Sequence, residues 1–204
     1  MSEQLSTSTR DRLVSAVAEL MRVHGYSAIT VKQITAAAQA PMGSLYHHFP
    51  QGKVQIAAEA LRTSGAAYIQ LLPLLMDPHE DLRVAVRAAF DDAARVQEES
   101  GWMNMCPVGT VAGEIADSEP VLREVAAEVM RDWIDRGATY FVDRGVEESS
   151  SRELVLAMLS ALEGAFVLGR TLRSAEPLRA AGRAIAAQVE AVLAEGATVD
   201  SSIT

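Results

Sequence analysis

A single cysteine, Cys106, stands in 204 residues, so no disulfide can form within the chain. No stretch approaches the ~18 consecutive apolar residues that a membrane-spanning helix needs. The N-terminal segment Met1 to Arg10 is polar and rich in Ser and Thr; it lacks the apolar run and small-residue cleavage site of a signal peptide. These absences lead us to expect a soluble, cytoplasmic protein without a membrane partner. The chemistry of an enzyme is missing too. There is no glycine-rich phosphate loop, no HExxH and no usable Cys–His spacing. Neither the histidine pair His47–His48 nor His79 has metal-ligand spacing. No catalytic residue, cofactor or metal is expected.

What is present points to helices. Hydrophobic residues make up 49% of the chain, which excludes wholesale disorder, and only 7 prolines and 13 glycines interrupt it. Alanine dominates, followed by Val, Leu, Glu and Arg, the composition of an all-α protein. The net charge of −9 is unevenly spread. Residues 1–62 carry six basic and four acidic side chains, with three histidines besides, whereas the remainder carries 12 basic and 23 acidic ones. A mildly basic N-terminal unit is joined to an acidic body, the asymmetry of a nucleic-acid-facing end on a body that repels DNA.

Helix signals recur along the chain. Leu13, Val17, Leu20, Met21 and His24 share one helical face, and Gly25 stops that helix. Thr30-Val-Lys-Gln33 is a capping box that opens a short helix over 31–38. A second short helix follows over 41–48, then a break at Phe49-Pro50-Gln51-Gly52 and a longer helix over 53–72. Asp77-Pro78-His79-Glu80 reads as another capping box, with Leu82, Val86 and Phe90 on the face of the helix behind it. Further helices are expected over 108–116, from Ser118 to about 144, from a Ser150–Glu153 cap to about 174, and over 176–194, with a frayed tail from Gly196. That makes nine helices and no strand.

Two short helices joined by a tight turn, behind a longer one, make a helix-turn-helix. The second must enter a major groove about 12 Å wide and present its first turn to base edges. That turn is Pro41-Met42-Gly43-Ser44. Leu45 and Phe49 face inward, while Tyr46 and His47 carry polar tips suited to phosphates. Lys53, at the start of the next helix, and Thr30 and Lys32, at the start of the first short one, complete the expected DNA contacts. The run from His24 through Thr30, Leu45-Tyr46-His47-His48-Phe49 and Lys53 resembles the DNA-binding signature of the TetR family of transcriptional regulators. Ala-Pro-x-Gly-Ser-Leu-Tyr-His-His-Phe and the later Cys106-Pro-Val-Gly-Thr110 are similar to its LmrA/YxaF-like branch, some members of which respond to flavonoid-like molecules. Gln39 departs from the glycine usual in the turn, and Met42 from a basic residue.

The resemblance implies a nine-helix TetR-type fold. Its parts would be a three-helix DNA-binding domain over 1–52 and a ligand-binding and dimerisation body over 53–204, with 53–72 as linker helix. It also implies a ligand-responsive repressor that binds a near-palindromic operator in double-stranded DNA. Trp102, Met105 and Cys106 lie in a break between helices and, with Phe90, Trp133, Tyr140 and Phe166, are candidate lining for a small hydrophobic or aromatic effector, plain core packing being the alternative for each. Cys106 reads as a small buried hydrophobe, or else as a thiol activated by the helix that Pro107 begins. Leu154, Met158, Ala161, Leu162 and Ala165, with Leu178, Ile185 and Val189, form stripes on the last two helices; the resemblance makes them half of a four-helix homodimer interface.

Overall fold

In the computed structural model, residues 8–200 are described, with side chains through residue 195. The expectations for Met1 to Arg10 and for the frayed tail therefore fall partly outside the described residues. Those described form helices and no strand: α1 (Thr9–His24), α2 (Val31–Ala37), α3 (Met42–His48), α4 (Lys53–Ile69), α5 (Leu71–Met76), α6 (Leu82–Glu99), α7 (Pro107–Ile115), α8 (Pro120–Asp143), α9 (Glu148–Leu172) and α10 (Glu176–Asp200). Counted with α4 and α5 as one helix broken at Gln70, these are the nine of the sequence reading. Pro73 makes the break. It cannot donate to the carbonyl of Ile69 four residues back, and its ring crowds that carbonyl. The chain tightens there, with Gln70 N–H donating to Ala67 at 3.2 Å.

Two local readings need correction. The capping box at Asp77-Pro78-His79-Glu80 does not form; Asp77 ends α5, and α6 opens behind Asp81, whose carboxylate accepts from Arg83 N–H at 2.8 Å. Two Asp residues four apart offered equivalent caps, and Pro73 let α5 use up the first. Likewise α9 begins at Glu148, ahead of the Ser150–Glu153 signal, and α10 runs on to Asp200.

The helices fall into two compact units, one comprising the chain to Ala66 with Cys106–Val129, the other Ala67–Met105 with the chain from Met130. In the first, Leu13, Val17 and Met21 of α1, Ile34 of α2, Leu45 and Phe49 around α3, and Ile56 and Leu61 of α4 are buried. In the second, α6 packs on α10 at a close approach. A Cβ on Gly182 would lie 2.6 Å from that of Phe90, so only glycine lets the helix backbone this near the ring. The loop before α6 is pinned from α8: Tyr140 donates to Asp77 Oδ1 at 2.8 Å, and Arg144 donates to the Tyr140 oxygen at 2.7 Å and to the carbonyl of His79 at 2.6 Å. Burial, then the Asp77 hydrogen bond, push the Tyr140 phenol up to about 12.

The stripes expected to meet a second copy are divided by the fold. Leu154, Ala165, Leu178, Ile185 and Val189 are buried within the single chain, so these side chains build its own core. Ala161, Met158 and Leu162 are only half-buried. The outward face of α9 instead carries Ala157, Ala161, Gly164 and Leu168, and that of α10 carries exposed Ala180, Ala184, Ala187 and Ala191. Both series step by four, three and four residues, the spacing of one helical face.

Candidate nucleic-acid interface

Thr30 fixes where α2 begins. Its hydroxyl accepts from Gln33 N–H at 3.3 Å, and Gln33 Oε1 accepts from Thr30 N–H at 2.8 Å, the reciprocal pair read from sequence. Lys32 in the first turn is exposed. Ile34, Thr35 and Ala38 turn inward. The end of α2 is closed by Gln39 N–H donating to Ala36 at 3.1 Å and Ala40 N–H donating to Thr35 at 2.9 Å. This closure needs a left-handed residue, and Gln39 supplies it at φ +49°. A side chain in that region costs roughly 1–2 kcal/mol, the strain that the missing glycine foreshadowed.

Pro41 then sets the start of α3. Leu45 and Phe49, four apart, are buried and hold the helix down, so Met42, Gly43, Tyr46 and His47 face solvent. Pro41 is exposed and Ser44 half-buried. A Cβ on Gly43 would meet nothing within 4 Å. The protein's own packing therefore does not call for glycine there. Gly52 has φ +68°, and its added Cβ would lie 3.3 Å from the Tyr46 ring, which rests against it. His48 is half-buried, its ring against those of His47 and Phe49 at 5.0 and 6.4 Å.

Lys53 is less free than sequence alone implies. Its ammonium stands 4.0 Å from the centre of the Tyr26 ring, a cation–π contact. Burial lowers its pKa, against the raising pull of Glu114 and Glu119. Tyr26 donates to Glu119 at 3.5 Å, and burial followed by that charge push its phenol up to about 12. Glu114 of α7 is the residue that sequence reading missed. Its two oxygens accept from the backbone N–H groups of Tyr26 at 2.7 Å and Ser27 at 2.6 Å, clasping the loop that leads into α2. Gly25, at φ +77°, permits this; a Cβ there would lie 2.5 Å from Glu114 Oε2. The partners are 88 residues apart, beyond the reach of any local pattern.

Burial opposes ionisation of Glu114, but the Ser27 and Tyr26 hydrogen bonds and the Lys53 charge outweigh it and hold the carboxyl below its ordinary range. Its contribution to stability is thus present above the unfolded value and lost as pH falls through the folded one. Glu114→Gln is expected to destabilise the protein at pH 7, with the difference shrinking as pH falls through the lowered folded value of the carboxyl. Denaturation midpoints across pH check this; a constant difference at every pH contradicts it.

The candidate effector residues are not drawn into one cluster. Gln97, fully buried on α6, joins three of them: Nε2 donates to the carbonyls of Phe166 at 2.9 Å and Asn104 at 3.3 Å and approaches Met105 Sδ at 3.7 Å, while Gln97 O accepts from Trp102 N–H at 2.7 Å. Gln97 Oε1 has no hydrogen-bond partner and faces Gly169. Trp102 sits at φ +70°. Phe90 packs on Gly182, Trp133 lies 5.4 Å from the Tyr68 ring, and Tyr140 is committed to Asp77 and Arg144. Cys106 belongs to the first unit, buried as the cap of α7, its Sγ accepting from Gly109 N–H at 3.3 Å.

This arrangement has close counterparts. Residues 13–60 match the family described as bacterial regulatory proteins, tetR family, and residues 83–184, half of the chain, match the transcriptional regulator LmrA/YxaF-like C-terminal domain. The HTH-type transcriptional regulator YxaF of Bacillus subtilis (strain 168) is 29% identical over 170 residues, covering 83% of this chain and 89% of that protein. LmrA of the same strain is 28% identical over 170 residues, 83% of this chain and 90% of that protein. Among solved structures, a TetR transcriptional regulator from Chloroflexus aurantiacus superposes with a TM-score of 0.72 at 28% identity, covering 89% of this chain and 94% of that one.

Proposed function

Because the chain belongs to the TetR family of bacterial transcriptional regulators, in its LmrA/YxaF-like branch, we propose that it is a cytoplasmic repressor that binds a near-palindromic operator as a homodimer and lets go when a small apolar or aromatic effector binds. The family is one of regulators and not of enzymes. The observation that carries the DNA reading is α3 itself: Leu45 and Phe49 seat it, and Met42, Gly43, Tyr46 and His47 remain outside, on an element small enough for a major groove. Residues 1–52 are the reading part in this account, and residues 53–204 serve dimerisation and effector binding.

The roles divide by chemistry. Pro41, Met42 and Ser44 offer apolar and hydroxyl contacts to base edges, Gly43 lets backbone approach, and Thr30, Lys32, Tyr46, His47 and Lys53 hold phosphates. Lys53 keeps its N–H donors free to turn toward a phosphate from above the Tyr26 ring. Lys53→Ala should weaken binding to all sequences and lower the salt slope by about one per site. Met42→Ala should cost ~1 kcal/mol or more only at sites carrying the base it touches. Binding-site selection on both variants at fixed salt tests this. An unchanged preference in Met42→Ala together with an altered one in Lys53→Ala would overturn the assignment.

Two features support the dimer. Only 28% of the most apolar 18-residue stretch of α9 is buried within the chain, and Val167, Leu168 and Leu172 are more than half exposed. Small residues on the outward faces of α9 and α10 suit close helix packing across a two-fold axis. For the effector, the group around Gln97, with Trp102, Met105 and Phe166, is the part of the expected lining whose side chains and backbone converge. An effector that prefers one state of the protein and DNA the other couples the two by ~1–3 kcal/mol, roughly 5–150-fold in operator affinity.

A further inference from the structure

Gln39 combines three properties that no other residue of the helix-turn-helix shares. It is the one non-glycine residue of residues 8–66 at positive φ. It is exposed, and its amide has no hydrogen-bond partner among the described residues. It stands in the turn that leads directly into α3, two residues ahead of Pro41. Glycine would close α2 through the same backbone bonds without strain. The side chain therefore does nothing for the fold that would offset its conformational cost, and a strained, exposed, unpartnered group beside a recognition element is a candidate for contact with what is recognised.

The neighbouring residues show what is missing from that recognition. Met42, Gly43, Tyr46 and His47, the outward residues of α3, include no carboxamide, so none offers a donor and an acceptor side by side to a single base edge. Gln39 is the nearest that can, and a carboxamide pairs in bidentate fashion with N6 and N7 of adenine in the major groove. We propose that Gln39 is a specificity-determining residue that reads one adenine in each operator half-site. The inference rests on the DNA-binding reading above and adds to it a residue and a base.

The test is a binding-site selection from random duplex DNA at fixed salt, with thermal melting alongside, for the full chain and for Gln39→Gly and Gln39→Glu. The wild-type chain is expected to prefer adenine at one position of each half-site by about tenfold or more. Gln39→Gly should melt higher, because the strain is relieved, and should lose that preference while every other position is kept. A merely structural turn residue would not move stability and discrimination in opposite directions. Gln39→Glu, which can only accept, should shift the same position toward cytosine, whose N4 donates. Gln39→Gly that keeps the wild-type preferences, or that weakens all sequences equally as loss of a phosphate contact would, overturns the inference and leaves the DNA reading standing. So does a Gln39→Gly that melts no higher. A wild-type chain that selects no sequence overturns the DNA reading and this inference with it.

Discussion

Leu168→Glu combined with Ala184→Glu is expected to convert a micromolar-stable dimer into a folded monomer. Both positions are exposed on the single chain, on the outward faces of α9 and α10, so the charges are solvated in the monomer and leave its core untouched. In a two-fold interface each carboxylate occurs twice and is buried without a partner, at about 3–5 kcal/mol for an uncompensated charge. The affinity of the dimer should weaken at least a hundredfold, by the equivalence of 1.4 kcal/mol with a factor of ten. Ala165→Glu makes the contrast: Ala165 is buried inside the chain, and a charge there should unfold the protein instead of splitting it. Sedimentation with far-ultraviolet circular dichroism separates the outcomes. A dimer that survives the double substitution places the interface elsewhere.

Phe90→Ala is expected to cost about 3–5 kcal/mol of stability, the usual range for deleting a buried aromatic ring. Phe90 is almost wholly buried, and the backbone of α10 at Gly182 lies against its Cβ and Cγ. Those atoms are near the α6 backbone and cannot swing aside as a side-chain tip can. Gly182→Ala should therefore force α6 and α10 apart, at about 1–3 kcal/mol for overpacking. Denaturant titrations at fixed protomer concentration measure both, since the proposed dimerisation would make apparent stability concentration-dependent. The test also bears on the effector reading. Phe90 as core shows its full effect without any small molecule, and a loss under 1 kcal/mol would mean that its ring has little packing to lose.

Local signals carried the sequence reading furthest. The Thr30–Gln33 pair, the Leu45–Phe49 spacing and the glycine-less turn at Gln39 each act within a few residues, and each is found as read. Where two local signals competed, as with Asp77 and Asp81, the choice turned on Pro73 upstream. The stripes of α9 and α10 are ambiguous for another reason. Both helices are apolar on more than one face, and periodicity cannot say whether Leu154 or Leu168 faces the chain's own core. Glu114 was out of reach altogether, because the loop it clasps lies 88 residues away.

Both tryptophans of the chain, Trp102 and Trp133, fall in the second unit, whereas the first holds two tyrosines, Tyr26 and Tyr46, and no tryptophan. Indole emission excited near 295 nm (a setting typical for tryptophan) is therefore blind to the helix-turn-helix. Trp133 is buried and Trp102 half-exposed, so the two should differ in colour and in access to quenchers such as acrylamide. A melt followed by tryptophan emission reports the loss of the second unit, and backbone dichroism reports both. Any gap between the two curves measures how far the first unit comes undone before the second does.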